Sequence, residues 1–427
     1  MNPRMEVIFG AYIGIEDGKI VSIERKPPAE APKAIVDGTG MVAIPGLINC
    51  HTHLATASLR CFTDDLGNTE ALQALLQKEA KMDSRSAKAA ASLAIAECLR
   101  FGVTSVSDLY YYPNATAEAV AESGIKANIS RGTSMFLGDD FCFDTFPACQ
   151  ELVALKDKWH NYDNGRIKIE ASIHAEYTST YQLWDALAEY AINNGLQLQV
   201  HLSETKKEHD ECVEKYGLTP AQVLDCHHVF DVPTVAAHCV HVTQEDMQLL
   251  AKRHVSAAHC PVSNLKLASG CADVLGMVKA RMNVCLGTDS VASNNNLDLF
   301  EEIKAAAHFT GQGVDDFAGM YFGYADGKKL SISCGMCTSQ RADRFYLYGT
   351  EGTLEAPIPY NAKGALHYSI VRGDVVTTKT MQVEDNYKLE IEQLGRCVLN
   401  GEKPWVSHRF SIENAKIIDR VLEAIGY

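Results

Sequence analysis

The sequence predicts an α/β chain: a (β/α)8 barrel, preceded by a truncated β-hairpin that is the remnant of a sandwich and followed by a C-terminal α+β module with an antiparallel sheet. Three observations carry this. Between about residues 35 and 310, short β-rich runs alternate with longer stretches of helical period, the pattern of parallel strands joined by crossover helices. Eight such runs occur, and no Gly-x-Gly-x-x-Gly follows the first, which favours a barrel over a doubly wound sheet. After residue 312 the alternation gives way to strands and turns. The expected divisions are therefore 1–40 for the sandwich remnant, 41–311 for the barrel and 312–427 for the module.

Taken in order, Glu6–Ile15 and Lys19–Ile23 flank a Glu-Asp-Gly-Lys turn and read as a hairpin, with a Pro-rich loop at Pro27–Pro32 after it. The eight barrel strands are predicted at Met41–Leu47, Val103–Leu109, Ile125–Ile129, Ile167–Ile173, Leu196–Val200, Thr234–Ala237, Val255–Ala258 and Asn283–Leu286. Among the crossovers, Ser86–Arg100 has Ala, Leu and Ile at helical spacing and stops at Gly102. In the module, strands are expected at Met320–Tyr324, Lys329–Cys334, Arg344–Tyr348, Leu366–Val371 and Val375–Val383. Two helical patterns close the chain, Asn386–Leu399 and Ser411–Ile425, with Ser411 placed as an N-cap.

Composition narrows the function. Of 427 residues, 46% are hydrophobic and 22% charged, too apolar for a disordered chain. Lys and Arg number 39 against 54 for Asp and Glu, a net charge of −15 that disfavours nonspecific attraction to phosphate backbones, so nucleic acid is not an expected partner. Apolar stretches are broken within about ten residues, short of the roughly twenty a spanning helix needs, and no membrane association is expected. The first residues show no basic region before an apolar run, and the 14 cysteines are scattered, which reads as reduced thiols in a cytoplasmic protein.

Four of the 15 histidines and one aspartate fall at or just beyond ends of predicted barrel strands. His51 and His53, in Asn-Cys-His-Thr-His, are two apart in an extended segment, so both imidazoles can face one metal ion. His201 ends the fifth strand, His238 the sixth, and Asp289 follows the eighth in Leu-Gly-Thr-Asp-Ser. Side chains at the C-terminal ends of different barrel strands converge, which makes a metal site of residues far apart in sequence. Singly, His201 reads as a core imidazole and Asp289 as the cap of a helix at Asn294–Phe309; it is their coincidence that points to chemistry. Glu204, three residues beyond His201, can overhang the same site as a proton carrier, although alone it reads as the solvated start of a helix at Lys206–Lys215. His241 is expected to face the next helix and His259 to line the pocket without binding metal. Cys334-Gly-Met-Cys337 has metal or redox spacing but lacks a second pair. Neither Pro-Cys-x-x-Cys nor Gly-x-Ser-x-Gly occurs, which excludes the His-x-Glu type of zinc deaminase and serine hydrolases of the nucleophile-elbow type.

Residues 6–311 resemble the amidohydrolase superfamily, in the branch of adenosine, S-adenosylhomocysteine and methylthioadenosine deaminases and triazine hydrolases. The stretches that carry the likeness are Pro45–His53, His201–Glu208, Ala236–His241 and Pro261–Phe300. The resemblance implies that His51, His53, His201 and Asp289 bind one divalent metal and that Glu204, His238 and Asp289 act on the water and a small-molecule substrate. It also implies substrate contacts from Glu79, Arg131 and His174. Zinc is the expected ion, since imidazole and carboxylate suit it, and iron and manganese suit the same ligands. The implied reaction is deamination of an adenine-type nucleoside; hydrolysis of another ring substituent, of guanine or triazine type, is the alternative, as is a catalytically silent fusion. Residues 313–427 resemble the C-terminal half of glucose-fructose oxidoreductase and inositol dehydrogenase-like enzymes, without their nicotinamide-binding domain, so no NAD site is expected and homo-oligomerisation through the open sheet is.

Overall fold

The structure is a computed structural model that describes residues 8–28, 32–62, 74–75, 77–136 and 140–309, and beyond these the strands given below with scattered residues between 384 and 416. The chain divides into two units, Met1–Val314 and Asp315–Tyr427.

The first unit opens with an antiparallel hairpin, β1 (Tyr12–Glu16) and β2 (Lys19–Glu24), in which Ile13 lies opposite Ile23. Asp17 and Gly18 both have positive φ, 48° and 72°, the backbone that an Asp-Gly hairpin turn requires. The strand expected from Glu6 begins at Tyr12, and the residues before Ile8 lie outside the described ones.

Eight parallel strands follow: β3 (Leu47–Thr52), β4 (Val103–Tyr110), β5 (Lys126–Arg131), β6 (Ile167–Ile173), β7 (Leu198–Leu202), β8 (Thr234–His238), β9 (Ser256–His259) and β10 (Asn283–Leu286). Each pairs with its sequence neighbour, the order of a barrel built from consecutive strand-helix units. Two of the predicted spans, β6 and β10, coincide with the observed ones. The first does not: Met41–Leu47 was expected and Leu47–Thr52 is found, with Met41 and Val42 exposed at 72% and 83%. Pro45 has no N–H to give a ladder, so pairing starts beyond Pro45-Gly46, and His51 sits inside the strand rather than after it.

The ring closes between β10 and β3. Thr52 and Asp289 form a parallel bridge, and the Asp289 N–H donates to the His51 carbonyl at 3.0 Å. Asn49 Nδ2 donates to Thr288 Oγ1 at 2.7 Å, and Thr288 N–H returns a bond to Asn49 Oδ1 at 3.1 Å. Val103, Val106, Ile129, Ile167, Ile169, Ile173, Leu198 and Val200 are buried with Ala91, Ala94 and Ile95 of the helix Ser84–Arg100 and Trp184 and Leu187 of the helix Tyr181–Asn194. Each such large side chain contributes about 1.5–3 kcal/mol by leaving water. That apolar ring fixes the frame on which the polar strand ends are held. The last helix starts later than Asn294: a short turn Val291–Asn294 is followed by Leu299–Phe309.

In the second unit β11 (Phe317–Gly323) pairs antiparallel with β12 (Lys329–Gly335), and β13 (Arg344–Gly349), β14 (Gly352–Pro357), β15 (Gly364–Arg372) and β16 (Val375–Val383) form an antiparallel meander. β14 was not expected; it is short and bounded by Gly352 and Pro357, which read as turn residues. Cys337 and most of the two closing helical patterns lie outside the described residues.

Candidate metal centre and active site

The site is built where β3, β7 and β8 end and where the chain leaves β10. The ring of His51 is 1% exposed, and its Nε2 is buried without a hydrogen-bond partner. His53, two residues on, presents Nε2 at 3.2 Å from Asp289 Oδ1, and His51 Nε2 lies 3.7 Å from the same oxygen. The far nitrogens are anchored: His53 Nδ1 bonds the carbonyl of Leu109, and His201 Nδ1 bonds the carbonyl of His174 at 2.6 Å. A carbonyl can only accept, so both rings carry their proton on Nδ1 and offer a bare Nε2. Among the described residues, two sets of ligand atoms lie within 4.8 Å of one another, His51 with His53 and His201, and His51 with His238 and Asp289.

The electrostatics suit a cation. Burial pushes the His51 imidazole down to about 4, and burial with the neighbouring histidines holds His201 well below its usual value. For Asp289 burial works against ionisation, but the nearby imidazoles of His51 and His53 outweigh it and hold the carboxyl well below the usual range. His53 is raised: burial opposes this and Asp289, with Asp108 behind it, prevails. His51 and His201, held neutral beside an ionised Asp289, are in the protonation state that ligation needs, and the pull of Asp289 that raises His53 is the same pull that would hold a cation in place of its proton, so these residues fit a divalent metal.

Proton-handling groups adjoin them. Glu204, in the turn after β7, has Oε2 at 3.7 Å from His238 Nε2 and accepts from Ser269 Oγ at 3.4 Å. Burial, and then the charge of Asp289, raise its carboxyl to about 7. Its turn is braced by Glu208, whose carboxylate accepts the N–H groups of Ser203 and Glu204 at 2.9 Å and of Thr205 at 3.3 Å. His238 and Asp289 both take left-handed backbone, φ 70° and 58°, a strained conformation that the surrounding bonds maintain.

Of the residues assigned to substrate, His174 joins the cluster, its ring 4.9 Å from that of His201 and its Nδ1 2.9 Å from Thr178 Oγ1. Glu79 and Arg131 instead line a separate cavity of about 420 Å³ with Ala80, Tyr111, Tyr112 and Glu151. Arg131 is committed there: its Nε donates to Glu151 at 2.6 Å, and its guanidinium lies 4.9 Å from the Tyr111 ring centre. Glu79 accepts from Tyr110, whose ring is 5.7 Å from that of His53, which connects the cavity to the metal ligands. His241 faces away, bonded through Nε2 to Ser269 O at 2.7 Å, and His259 is fully buried.

Several residues escaped sequence reasoning. Ser263 and Ser293 donate to Asp289 Oδ2 at 2.5 and 3.1 Å, and Asn264 meets His238 Nδ1 at 3.0 Å. Single serines and amides carry no pattern that spacing could reveal. Glu208 did have a signal, the Thr-x-x-Glu spacing of a capping box that starts the helix Lys206–Tyr216.

The chain matches the amidohydrolase family over residues 42–321. It is 38% identical over 303 residues, 71% of this chain and 70% of the other, to a 5-methylthioadenosine/S-adenosylhomocysteine deaminase of Dictyoglomus turgidum. A 5'-deoxyadenosine deaminase of Methanosphaera stadtmanae is 37% identical over 302 residues, 70% of this chain and 69% of the other. Among solved structures, an adenosine deaminase from Xanthomonas campestris with bound zinc superposes with a TM-score of 0.57 at 30% identity, covering 63% of this chain and 62% of that one. With its parallel barrel, its imidazole-carboxylate cluster at the strand ends and this span of similarity, the chain belongs to the amidohydrolase family and is a hydrolytic enzyme.

Proposed function

We propose that this enzyme is a zinc-dependent deaminase of an adenine-type nucleoside such as adenosine, S-adenosylhomocysteine or methylthioadenosine. The observation that carries the reading is Glu204: a buried carboxyl raised to about 7, 3.7 Å from His238 and beside the overlapping sets His51, His53 and His201, and His51, His238 and Asp289. The names of the relatives in Dictyoglomus turgidum and Methanosphaera stadtmanae support the substrate class. The ion, held by His51, His53, His201 and Asp289, supplies an activated water at neutral pH when bound.

The chain's own groups do the rest. His238 and Asp289 flank the water position and take its proton. Glu204, its carboxyl raised by burial, hands a proton to the ring nitrogen beside the attacked carbon and can recover one for the departing amine, which leaves as ammonia. A carboxyl with its pKa near the working pH can serve both transfers. His174 closes the site beside His201, and Glu79, reached through Tyr110, offers a carboxylate to the sugar end of the substrate, while Arg131, paired with Glu151, forms the wall of the adjoining cavity.

The test is ammonia release by zinc-loaded protein from adenosine, S-adenosylhomocysteine, methylthioadenosine, guanine and aminotriazines. Release from an adenine nucleoside supports the reading; silence from a folded, zinc-bound protein sinks it. Glu204→Gln is expected to keep one zinc per chain and to lower kcat by about 10²–10⁴.

A further inference from the structure

We infer that the adjacent residues Ser263 and Asn264 form a positioning pair that sets the working orientation of Asp289 and His238 together, and that Asn264 does so by presenting its oxygen to the Nδ1–H of His238. The inference rests on the deaminase reading and names residues that hold its proton-handling groups.

The two residues lie in the short helix Pro261–Lys266 after β9 and are both fully buried. Ser263 Oγ is 2.5 Å from Asp289 Oδ2, the carboxylate oxygen turned away from the histidines, and 2.8 Å from Ser293 Oγ, which itself reaches Oδ2 at 3.1 Å. Two hydroxyls thus hold Oδ2 and leave Oδ1 facing His51 and His53. Asn264 turns the other way. Its amide meets His238 Nδ1 at 3.0 Å, on the side of the ring opposite Nε2, which faces Glu204.

The amide has two orientations related by a half-turn. In one, Nδ2 points at Nδ1 and Oδ1 is buried without a donor, an arrangement that costs about 1–3 kcal/mol. In the other, Oδ1 accepts from Nδ1–H and Nδ2 takes the partnerless place instead, so the hydrogen-bond count does not choose between them; the role of His238 as the group that takes the water's proton selects the second. That orientation also fixes the tautomer: with the proton on Nδ1, the Nε2 lone pair is bare on the side where a water must give up its proton.

The helix that carries the pair is tied in place from outside the site. Glu302 accepts Val262 N–H at 3.2 Å and Asn294 Nδ2 at 2.5 Å, and Asn294 Nδ2 also reaches the Thr288 carbonyl at 2.7 Å. One buried carboxyl therefore couples the Ser263-Asn264 turn to the loop that carries Asp289. Ser263 and Asn264 can set the two functional groups against each other because their own backbone is held against the same loop.

The experiment compares zinc-loaded wild type with Asn264→Leu, Asn264→Asp and Ser263→Ala, together with nitrogen-15 spectra of the His238 ring. Wild type is expected to show His238 protonated on Nδ1 and bare at Nε2. Asn264→Leu is expected to keep one zinc per chain and a KM within about threefold while kcat falls about 10- to 100-fold. Asn264→Asp, which can offer only oxygen, recovers most of that loss. Ser263→Ala lowers zinc affinity in competition with a chelator by about 10-fold. A His238 ring protonated on Nε2 in wild type, an Asn264→Asp as impaired as Asn264→Leu, or unchanged kinetics in Asn264→Leu with unchanged zinc affinity in Ser263→Ala overturns the inference. The ring spectrum needs only wild type, so it decides even where a variant fails to fold. If wild type deaminates nothing in the panel, the proposed function falls while the spectrum and the zinc competition still test the pair.

Discussion

At Gly287 the chain turns out of β10 so close to β3 that a Cβ would lie 2.7 Å from the His51 carbonyl oxygen and 2.8 Å from the His51 Cβ. Backbone cannot yield as a flexible side chain can, so the methyl of Gly287→Ala must separate β3, which carries His51, from the segment after β10 that leads to Asp289. Overpacking of this kind costs about 1–3 kcal/mol. The expected outcome is a lower Tm together with less than one zinc per chain after dialysis, read by calorimetry and metal analysis; an unchanged zinc content would show that the seam tolerates the shift. At this scale the sequence was partly legible. His51 and His53 could be read because extended chain repeats every two residues, and His201, His238 and Asp289 because they recur at strand ends. Ser263, Asn264, Ser293 and Thr288 could not, because each acts through contacts made across long sequence separations, and nothing local marks a hydroxyl or amide that orients a neighbour.

Between elements, the loop after Asp289 is tied to the first crossover helix by charge. Arg60 forms a two-pronged pair with Glu97 and also donates to the Asn295 carbonyl, while Glu97 Oε1 accepts the Leu297 N–H at 3.0 Å. The pair is partly exposed, 30% for Arg60 and 17% for Glu97, so solvent weakens its Coulomb part and the backbone bonds matter more. Glu97→Gln is expected to destabilise the protein by about 1–2 kcal/mol, measured by urea unfolding, with kcat falling less than stability predicts for a residue that contacts substrate. Element boundaries were legible where apolar runs stand between clear breakers, as at β6 and β10. They were not where an apolar run is followed by proline, as at Met41–Pro45, since the missing N–H moves the strand start by six residues while leaving the hydrophobic pattern untouched. The same ambiguity hid β14, whose Gly and Pro edges look like a turn.

Across the whole molecule, burial of acids makes stability depend on pH. Burial raises Glu170 and Glu208 to about 7 and Glu302 to about 8. Each contributes stability that is fully present below its unfolded value near 4.5 and is lost as pH rises through its folded value. His174 and His259, pushed down to about 4 by burial, act oppositely, but only below the unfolded histidine value near 6.5. Between pH 6.5 and 8 the raised acids and the raised His53 remain, the folded state binds more protons, and stability falls as pH rises. Metal-free protein is therefore expected to show a declining Tm across that window, and Glu170→Gln to flatten part of it. Glu170 takes bonds from Asn128 and from Gln199, and the Gln199 Oε1, buried without a partner, is free to accept the new amide after a flip. A Tm that rises with pH over this window would contradict the assignment.

The seam between β3 and β10 sets an order of events during synthesis. Thr52 Oγ1 bonds the Asp289 carbonyl at 3.2 Å across 237 positions of chain, and His51 and His53 share a carboxylate that is made only after His201 and His238. A ribosome that has delivered the first two imidazoles has delivered no site. Until Asp289 emerges, the nascent chain holds only part of the ligand set and an open ring of strands. Uptake of the ion is thus a late event that reports completion of the barrel, and chains truncated before residue 289 are expected to leave the ribosome unable to retain it.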